Sequence, residues 1–230
     1  MKNGWWSIVV GGVVGALLWA APVGAQPFPG GLPACVRALQ TCNDALDKAQ
    51  QFPATGQTGC WNSGGLSILC TNTGQDGDIQ AGATLSYTDN GDGTITDNNT
   101  GLVWEKKSDD GTIHDQDTTY TWANAVTVHI AGLSTANFAG HNDWRLPNIK
   151  ELQSIVNYDN LPPAVSSEFD NNCVAACPVT TCSCTATGPY WSSTSSAGNP
   201  AVVWTVSFGF GVGGAGKFEL RRVRAVRGRQ

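Results

Sequence analysis

Four short phrases, in a fixed order over about 140 residues, constrain the fold of this chain more than any other feature. They are DNGDGTITDNNTGLVWEKK (89–107), HNDWRLPNIKEL (141–152), YWSST (190–194) and RRVRAVRG (221–228). Each phrase joins turn-forming residues to an aromatic or aliphatic side chain of the kind that is typically buried. None has the pattern of a reactive centre. The phrases therefore predict an architecture more directly than an activity.

The first 25 residues have the features of a secretory signal peptide. Lys2 provides a positive start, residues 5–21 are apolar and uncharged, and the Val23–Ala25 segment precedes the predicted cleavage site. A membrane anchor is the alternative, but the apolar run is short, contains glycines and ends at Pro22. We therefore expect an exported chain, periplasmic or at the cell surface, with no membrane span after processing.

The chain has eight cysteines, all after the predicted cleavage site. An even number of cysteines in an exported chain favours disulfides over thiol chemistry or zinc. Cys60 and Cys70 flank the Ser63–Gly65 turn, which predicts a local disulfide. Four more cysteines share one loop, where we expect one or two disulfides and where metal binding is the alternative. These four are Cys173, Cys177, Cys182 and Cys184.

Two segments precede the predicted domain: a Pro/Gly-rich linker over 26–33 and a short helix over 34–52. The helix is predicted from apolar residues at heptad spacing, namely Cys35, Leu39, Cys42, Leu46 and Ala49. Cys35 and Cys42 would lie about 10 Å apart along such a helix, too far to bond with each other. Either they form interchain disulfides in a homo-oligomer, or the helix lies on its own domain.

Charge is unevenly placed along the chain. Residues 217–229 carry six basic side chains and one acidic one, whereas the whole chain has a formal net charge of −5. The rest of the mature chain is therefore acidic, which argues against nucleic acid as a partner. The basic end is expected to contact an anionic polymer or to pair with carboxylates of the same chain.

The hydrophobic pattern predicts a loop-rich α+β domain. Strands are expected near 85–88, 94–97, 102–104, 190–191, 202–208 and 218–226, with 209–216 as a loose turn. Two helices are expected. Thr121 caps the first, which runs to about Ile130 with Trp122, Ala125, Val126 and His129 facing inward. Asn148 caps the second in a capping box with Glu151.

The acidic residues of the first phrase can bind calcium or cap turns. Asp89, Asp92 and Asp97 offer oxygen ligands, as do Asp76 and Asp78. Their spacing does not fit the EF-hand loop, and aspartate caps turns without any metal. We therefore predict turn capping by Asp89 and Asp92 and no metal or other cofactor, with structural calcium as the alternative.

The tryptophans of the first two phrases are expected to hold the fold together. Trp104 and Trp144 have the sequence surroundings of core anchors. Arg145 is expected to form a two-pronged ion pair with Asp143 or Glu151, which would fix the loop to the second helix. We assign these residues structural roles.

The sequence favours binding over catalysis. The three histidines show no metal-ligand spacing, and no Gly-x-Ser-x-Gly elbow occurs, so we predict that the protein is not an enzyme. Arg222, Arg224 and Arg227 are candidates for contacts to sulfate or carboxylate groups. Tyr190 and Trp191 are candidates for stacking on a sugar ring, although core packing is the favoured role of Trp191.

The four phrases together resemble the C-terminal domain of the Legionella collagen-like protein family. The predicted domain spans residues 55–230, and the resemblance covers roughly Thr55 to Gly228. It implies a disulfide-bonded C-type-lectin-like fold, related in architecture to the formylglycine-generating enzyme, with two helices and short, twisted antiparallel sheets. It also implies an exported or cell-surface location, adhesion, and binding of sulfated polysaccharide.

This chain departs from that family in two respects. It has no collagen-like Gly-x-y array, and Ala225 stands where such sequences often have cysteine. No cysteine follows Cys184, so the cysteine pair of formylglycine generation is missing. The expected function is non-enzymatic binding of an anionic or sulfated polysaccharide. The alternative is a structural or assembly component of the bacterial envelope without a glycan ligand.

Overall fold

A computed structural model describes residues 52–209 and 211–228. The predicted signal peptide, the linker, and Cys35 and Cys42 of the predicted helix lie outside these ranges. By its internal contacts the chain divides into two units, Met1–Asn43 and Asp44–Gln230, and only the second contains described residues. No helix within the described ranges has the length and apolar character needed to cross a membrane.

The described residues form a mixed α+β fold of short elements. The strands are β1 (Cys60–Trp61), β2 (Ser67–Ile68), β3 (Tyr87–Asp89), β4 (Thr94–Asp97), β5 (Val103–Glu105), β6 (Pro189–Ser195), β7 (Val202–Ser207), β8 (Gly211–Gly216) and β9 (Val226–Arg227). The helices are α1 (Asp76–Ile79), α2 (Trp122–Asn124), a π-helix (Ala125–Ile130), α3 (Ala131–Thr135), a 3-10 helix (Phe138–Gly140) and α4 (Ile149–Ser154). The predicted α+β class with small antiparallel sheets is confirmed.

The first phrase folds into the centre of a four-stranded antiparallel sheet with strand order β3-β4-β5-β9. Its turn residues act as the sequence predicts. Asp89 Oδ1 accepts the Gly91 N–H at 2.9 Å, and Asp92 Oδ1 accepts the Thr94 N–H at 3.0 Å. Gly93 has a φ of 93°, which residues with a side chain rarely adopt. These contacts shape the turn that joins β3 to β4.

The second sheet has three strands in the order β6-β7-β8. It corrects the prediction of a loose turn over 209–216, because Gly211–Gly216 is the edge strand β8, paired with β7 from Ser207 to Val202. A glycine run carries little strand propensity, so the pairing with β7 decides its conformation. The long strand predicted over 218–226 is replaced by isolated bridges and the two-residue strand β9.

Both predicted helix starts are present. The side chain of Thr121 accepts the Asn124 N–H at 3.4 Å. Asn148 Oδ1 accepts the Glu151 N–H at 3.0 Å, and Glu151 Oε2 accepts the Asn148 N–H at 2.8 Å. This reciprocal capping box fixes the start of α4.

The first helix differs from its predicted form because its middle turn is π-helical. Ala125 and His129 are buried as expected, but Val126 is 41% exposed. A π turn holds more residues than an α turn and so changes which side chains face the core. The exposed Val126 becomes part of a surface groove.

Within the described residues the core has two large apolar clusters and a small one of Cys177, Cys182 and Cys184. Trp104, Phe169 and Tyr190 belong to one, and Trp144 and Trp191 belong to the other. Tyr190 and Trp191 are neighbours in β6, so the strand's alternation sends them to opposite faces. Trp104 and Trp144 are core residues, as predicted.

Three disulfides lie within the described residues. Cys60 bonds to Cys70, the pairing that the sequence predicted. The four clustered cysteines form two further disulfides, Cys173–Cys184 and Cys177–Cys182. Several disulfides in one small domain indicate folding in an oxidising, exported environment.

Candidate functional site

Arg224, predicted to contact an anionic ligand, is fully buried. Its guanidinium donates to the Glu105 carbonyl at 3.1 Å, the Cys184 carbonyl at 2.9 Å and Thr185 Oγ1 at 2.7 Å. Sequence alone cannot show that these acceptors converge on one arginine. The prediction is therefore corrected: Arg224 joins chain segments inside the fold and has no surface to offer a ligand.

The aromatic pair predicted to stack on sugar is buried too. Tyr190 and Trp191 are both 0% exposed. The Tyr190 hydroxyl accepts the Ala186 N–H at 3.0 Å, and Trp191 Nε1 donates to the Tyr120 carbonyl at 2.7 Å. Neither ring has a free face, so the proposed stacking is corrected. Core packing was the favoured role of Trp191.

The other two candidate arginines reach the surface but have partners in the same chain. Arg222 Nη2 lies 3.4 Å from Asp117 Oδ1, and Arg227 Nε lies 2.7 Å from Asp143 Oδ1. Their partners come from separate loops, so the basic end of the chain does not form one cationic patch. Arg222 and Arg227 pair instead with carboxylates of the acidic body, which was the other expected outcome.

The second phrase provides a preorganised ion pair. Arg145 Nη1 and Nη2 each donate to one carboxylate oxygen of Glu151, both at 2.8 Å. Burial opposes ionisation of Glu151, but hydrogen bonds from Arg145 and from the Asn148 N–H outweigh it and lower the pKa of Glu151. Glu151 is therefore the partner of Arg145, whereas Asp143 pairs with Arg227.

An open groove of about 790 Å³ lies beside this ion pair. It is lined by Trp122, Val126, Ile130, Trp144, Arg145, Leu146, Asn148, Glu151 and Ser193. Three parts of the chain meet there: the helix that Thr121 caps, the loop of the second phrase, and β6. We call this feature the tryptophan groove.

Trp122 is the accessible ring of the tryptophan groove. Its Nε1 donates to the Ser192 carbonyl at 3.0 Å, which fixes the indole, and its face remains partly exposed. Trp144 is only 4% exposed and donates to the Phe138 carbonyl, so it forms the wall. The sequence predicted that Trp122 faces inward, whereas the residue is partly exposed. The predicted cap at Thr121 located the helix start that carries it.

A lysine stands next to the accessible ring. The Trp122 N–H donates to the Lys217 carbonyl at 3.0 Å, and Lys217 Nζ lies 4.4 Å from the centroid of the Trp122 ring. The two residues are 95 positions apart in the sequence, so local patterns carry no sign of this contact. The groove lining thus includes an aromatic ring and exposed hydrogen-bonding groups, and Lys217, which is not part of the lining, contacts that ring.

A second polar cluster, around Glu105, is closed to solvent. Glu105 is 0% exposed and accepts hydrogen bonds from Lys107 at 3.1 Å, from His114 and His129 at 2.9 Å, and from the Ala225 N–H at 2.9 Å. Sequence reasoning missed this cluster. The signal was a pair of charged residues, Glu105 and Lys107, directly after the buried Trp104. We interpret it as an internal brace.

The acidic residues considered for calcium do not converge on one point. Asp97 accepts the Asn99 N–H at 2.9 Å, much as Asp89 and Asp92 cap their own turns. A different acidic group, Asp109, Asp115 and Asp117, has carboxylate oxygens within 4.8 Å of one another. Asp115 accepts two backbone N–H groups and Asp117 pairs with Arg222, so contacts within the chain account for both.

These features define a disulfide-bonded α+β domain of an exported protein, with one groove that combines aromatic and charged groups. Residues 93–227 match the family model of the Lcl C-terminal domain, so the chain belongs to that family. The match starts at the turn before β4 and ends in β9, and it includes every residue that lines the tryptophan groove. No curated protein matches this chain.

Proposed function

We propose that this chain is an exported, non-enzymatic binding and adhesion module that holds an anionic or sulfated polysaccharide in the tryptophan groove. The location would be the periplasm or the cell surface. The observation that carries the proposal is that Trp122, which lines the groove, also has Lys217 Nζ 4.4 Å from its ring centroid. An aromatic face beside a cation is suited to a sugar ring that bears a sulfate or carboxylate group.

We also propose that the fold is C-type-lectin-like. Short antiparallel sheets, two helical regions, long loops and local disulfides support this assignment. In this arrangement the Arg145–Glu151 pair joins the loop of the second phrase to the start of α4. A loop that is already fixed loses little conformational entropy when a ligand binds, which favours affinity.

Two kinds of contact support a carbohydrate ligand. The partly exposed indole of Trp122 offers an apolar face for the C–H groups of a sugar ring. Asn148 is exposed, and its side-chain oxygen already caps α4, so its amide N–H₂ points away from the helix backbone and can donate to a hydroxyl group. A few fixed polar groups beside apolar walls are typical of small-ligand sites.

Lys217 supplies the charge selectivity in this proposal. Arg222 and Arg227 already have carboxylate partners, whereas Lys217 lies over an aromatic ring. A sulfate group on a sugar stacked against Trp122 would therefore find Lys217 without breaking an internal ion pair. Neutral sugars would keep the stacking contact and lose the ionic one.

Retention on a heparin column tests this role of Lys217. Lys217→Gln should elute at clearly lower salt than the unaltered chain. Lys150→Gln is the matched control, because it removes the same charge from an exposed position that is neither in the groove lining nor over the Trp122 ring. Equal losses in the two variants would mean that retention reflects overall charge, and the assignment of Lys217 would fail.

The alternative function is a structural or assembly component of the envelope. In such an assembly a neighbouring chain would cover exposed apolar side chains such as Leu161 at 88% and Phe218 at 84%. This alternative predicts oligomers without affinity for glycans. A glycan array run beside size-exclusion chromatography separates the two functions.

A further inference from the structure

The hairpin β1–β2 lies before the segment that matches the family and has an unusual composition. No charged residue occurs from Gly59 to Gln75. The Cys60–Cys70 disulfide closes the hairpin at its base. Because two-residue strands are too short to be stable alone, the disulfide keeps this projection folded in water. We call residues 60–70 the finger.

The finger exposes large apolar side chains. Leu69 is 89% exposed, Leu66 68%, Trp61 40% and Ile68 38%. Four such side chains within nine residues form a concentration of apolar surface that soluble domains usually avoid unless it contacts something. We therefore expect these side chains to contact an apolar partner.

The apolar side chains project from both faces of the finger. Trp61 is paired with Ser67, whereas Ile68 is paired with Cys60. Paired residues share a face and neighbouring residues alternate, so Trp61 and Ile68 lie on opposite faces. A flat protein surface would cover one face only. A fluid apolar medium would cover both.

Four backbone N–H groups at the tip of the finger have acceptors within the finger. The side-chain oxygen of Asn62 accepts the N–H groups of Gly64 and Leu66 at 2.9 and 3.0 Å. The Asn62 N–H donates to the Leu66 carbonyl, and the Gly65 N–H donates to the Asn62 carbonyl, both at 2.9 Å. Only a backbone whose polar groups are paired internally can leave water at low cost.

The outer edge of β1 is paired as well. The side chain of Gln75 accepts the Trp61 N–H at 3.0 Å and donates to the Trp61 carbonyl at 2.9 Å. A free strand edge would lose its hydrogen bonds to water on entering an apolar medium. Here the Gln75 amide takes the place of a neighbouring strand, so the edge beside Trp61 is already satisfied.

We propose that the finger inserts into the interface of a lipid bilayer, with Leu66 and Leu69 entering the acyl region and Trp61 at the headgroup level. Tryptophan is enriched at that depth of membrane proteins. The nearest charged residues after the finger are Asp76 and Asp78, which anionic lipids would repel. The fitting surface is therefore zwitterionic, such as phosphatidylcholine. The proposal does not depend on the tryptophan groove.

Flotation of the full chain with phosphatidylcholine vesicles tests the proposal. The unaltered chain should float with the vesicles at both low and high salt, because the finger carries no charge. Leu66→Ser with Leu69→Ser should lower the partition coefficient about tenfold or more. The matched control is Leu161→Ser, which changes an equally exposed leucine outside the finger and should bind like the unaltered chain.

Quenching by brominated phosphatidylcholine gives a second readout. Brominated lipid should quench the fluorescence of Trp61 in the unaltered chain. Trp61→Phe should still float with the vesicles, but the lipid should no longer quench its fluorescence. Failure of the unaltered chain to float would overturn the proposal, and so would equal losses in the finger variant and Leu161→Ser. Self-association that depends on Leu66 and Leu69 without vesicle binding would also overturn it, since the finger would then contact a second copy. The finger variant should keep its retention on heparin, which distinguishes a loss of membrane binding from a loss of polysaccharide binding at the groove.

Discussion

The guanidinium group of Arg145 makes two parallel hydrogen bonds, both of 2.8 Å, to the two carboxylate oxygens of Glu151. The same carboxylate accepts the Asn148 N–H. One side chain thus closes the capping box of α4 and holds the loop that carries Trp144. Because this loop forms one wall of the tryptophan groove, the pair links the stability of the fold to the shape of the proposed site.

We expect Glu151→Gln to lower the free energy of unfolding by about 1–3 kcal/mol. Glu151 Oε2 accepts from both Arg145 Nη1 and the Asn148 N–H, and a glutamine oxygen can do the same. The glutamine N–H₂ group cannot accept the bond from Arg145 Nη2, and glutamine carries no charge. Urea denaturation with the disulfides intact measures the change. Lys150→Gln, an exposed neighbour in the same helix, should change it by less than about 0.5 kcal/mol. Similar values for the two variants would show that the pair has no special role.

The Glu105 cluster predicts that acid destabilises the protein. Burial opposes ionisation of Glu105, but the charges of His129 and Lys107 and the hydrogen bonds from His114 and His129 outweigh it and hold the pKa of Glu105 well below its usual value. Such a carboxylate stabilises the fold above its unfolded pKa of about 4.3, and this stability is lost as the pH falls through its folded pKa.

His129 should add a second loss of stability at higher pH. Burial lowers the pKa of His129 below 6.5. Its Nε2–H donates to Glu105, and within the described residues Nδ1 has no partner. Below about pH 6.5 the unfolded chain takes up a proton that the folded chain resists, so stability falls with pH. The urea midpoint of the unaltered chain, measured from pH 7 to 4, should fall with pH near pH 6. His129→Gln should remove the fall near pH 6, and His141→Gln should keep it. Parallel profiles would contradict this role.

Removal of the Arg224 side chain should destabilise the fold much more than removal of the Arg227 side chain. Arg224→Ala removes the donor to two carbonyl groups, of Glu105 and Cys184, and to Thr185 Oγ1, and should cost about 3 kcal/mol or more. Arg227→Ala breaks a pair whose partner, Asp143, has a 54% exposed side chain, so it should cost less than about 1 kcal/mol. Thermal denaturation with circular dichroism compares them. A mild effect of Arg224→Ala would mean that this arginine is not an internal brace.

Cys35 and Cys42 lie outside the described residues, and their interchain pairing stays a prediction. If it holds, the exported protein runs as an oligomer on non-reducing electrophoresis and as a monomer after reduction. Cys35→Ser with Cys42→Ser should give a monomer under both conditions. A monomer band from the unaltered chain without reductant would favour the helix that lies on its own domain.

Local features of this fold could be predicted from the sequence because their causes are local. The Cys60–Cys70 disulfide follows from a short turn, the capping box follows from Asn148 and Glu151, and Asp89 caps the turn that it begins. Each of these interactions joins residues no more than about ten positions apart. Their energies depend little on the rest of the chain.

Features that depend on distant contacts could not be predicted in the same way. Gly211–Gly216 is a strand only because β7 pairs with it. Arg224 is buried because carbonyl groups from two remote segments surround its guanidinium group. The basic residues near the C-terminus looked like one patch in the sequence, but the fold gives Arg222 and Arg227 partners in separate loops.

The candidate site shows the same division. The cap at Thr121 located the segment that carries Trp122, yet the π-helical turn that exposes Val126 is not evident from periodicity. Lys217 reaches Trp122 only through the tertiary fold. Tyr190 and Trp191 were reasonable stacking candidates by residue type, and their burial follows from the two core clusters on either side of β6.

The most direct test of the binding function is the affinity of a heparin-derived sulfated oligosaccharide, measured by calorimetry for the unaltered chain, Trp122→Ala and Trp204→Ala. Trp204 is 40% exposed in β7 and does not line the tryptophan groove, which makes it the matched control. We predict that Trp122→Ala weakens binding about tenfold or more, roughly 1.4 kcal/mol, and that Trp204→Ala leaves it unchanged. Equal affinity of Trp122→Ala and the unaltered chain would contradict the assignment of the groove.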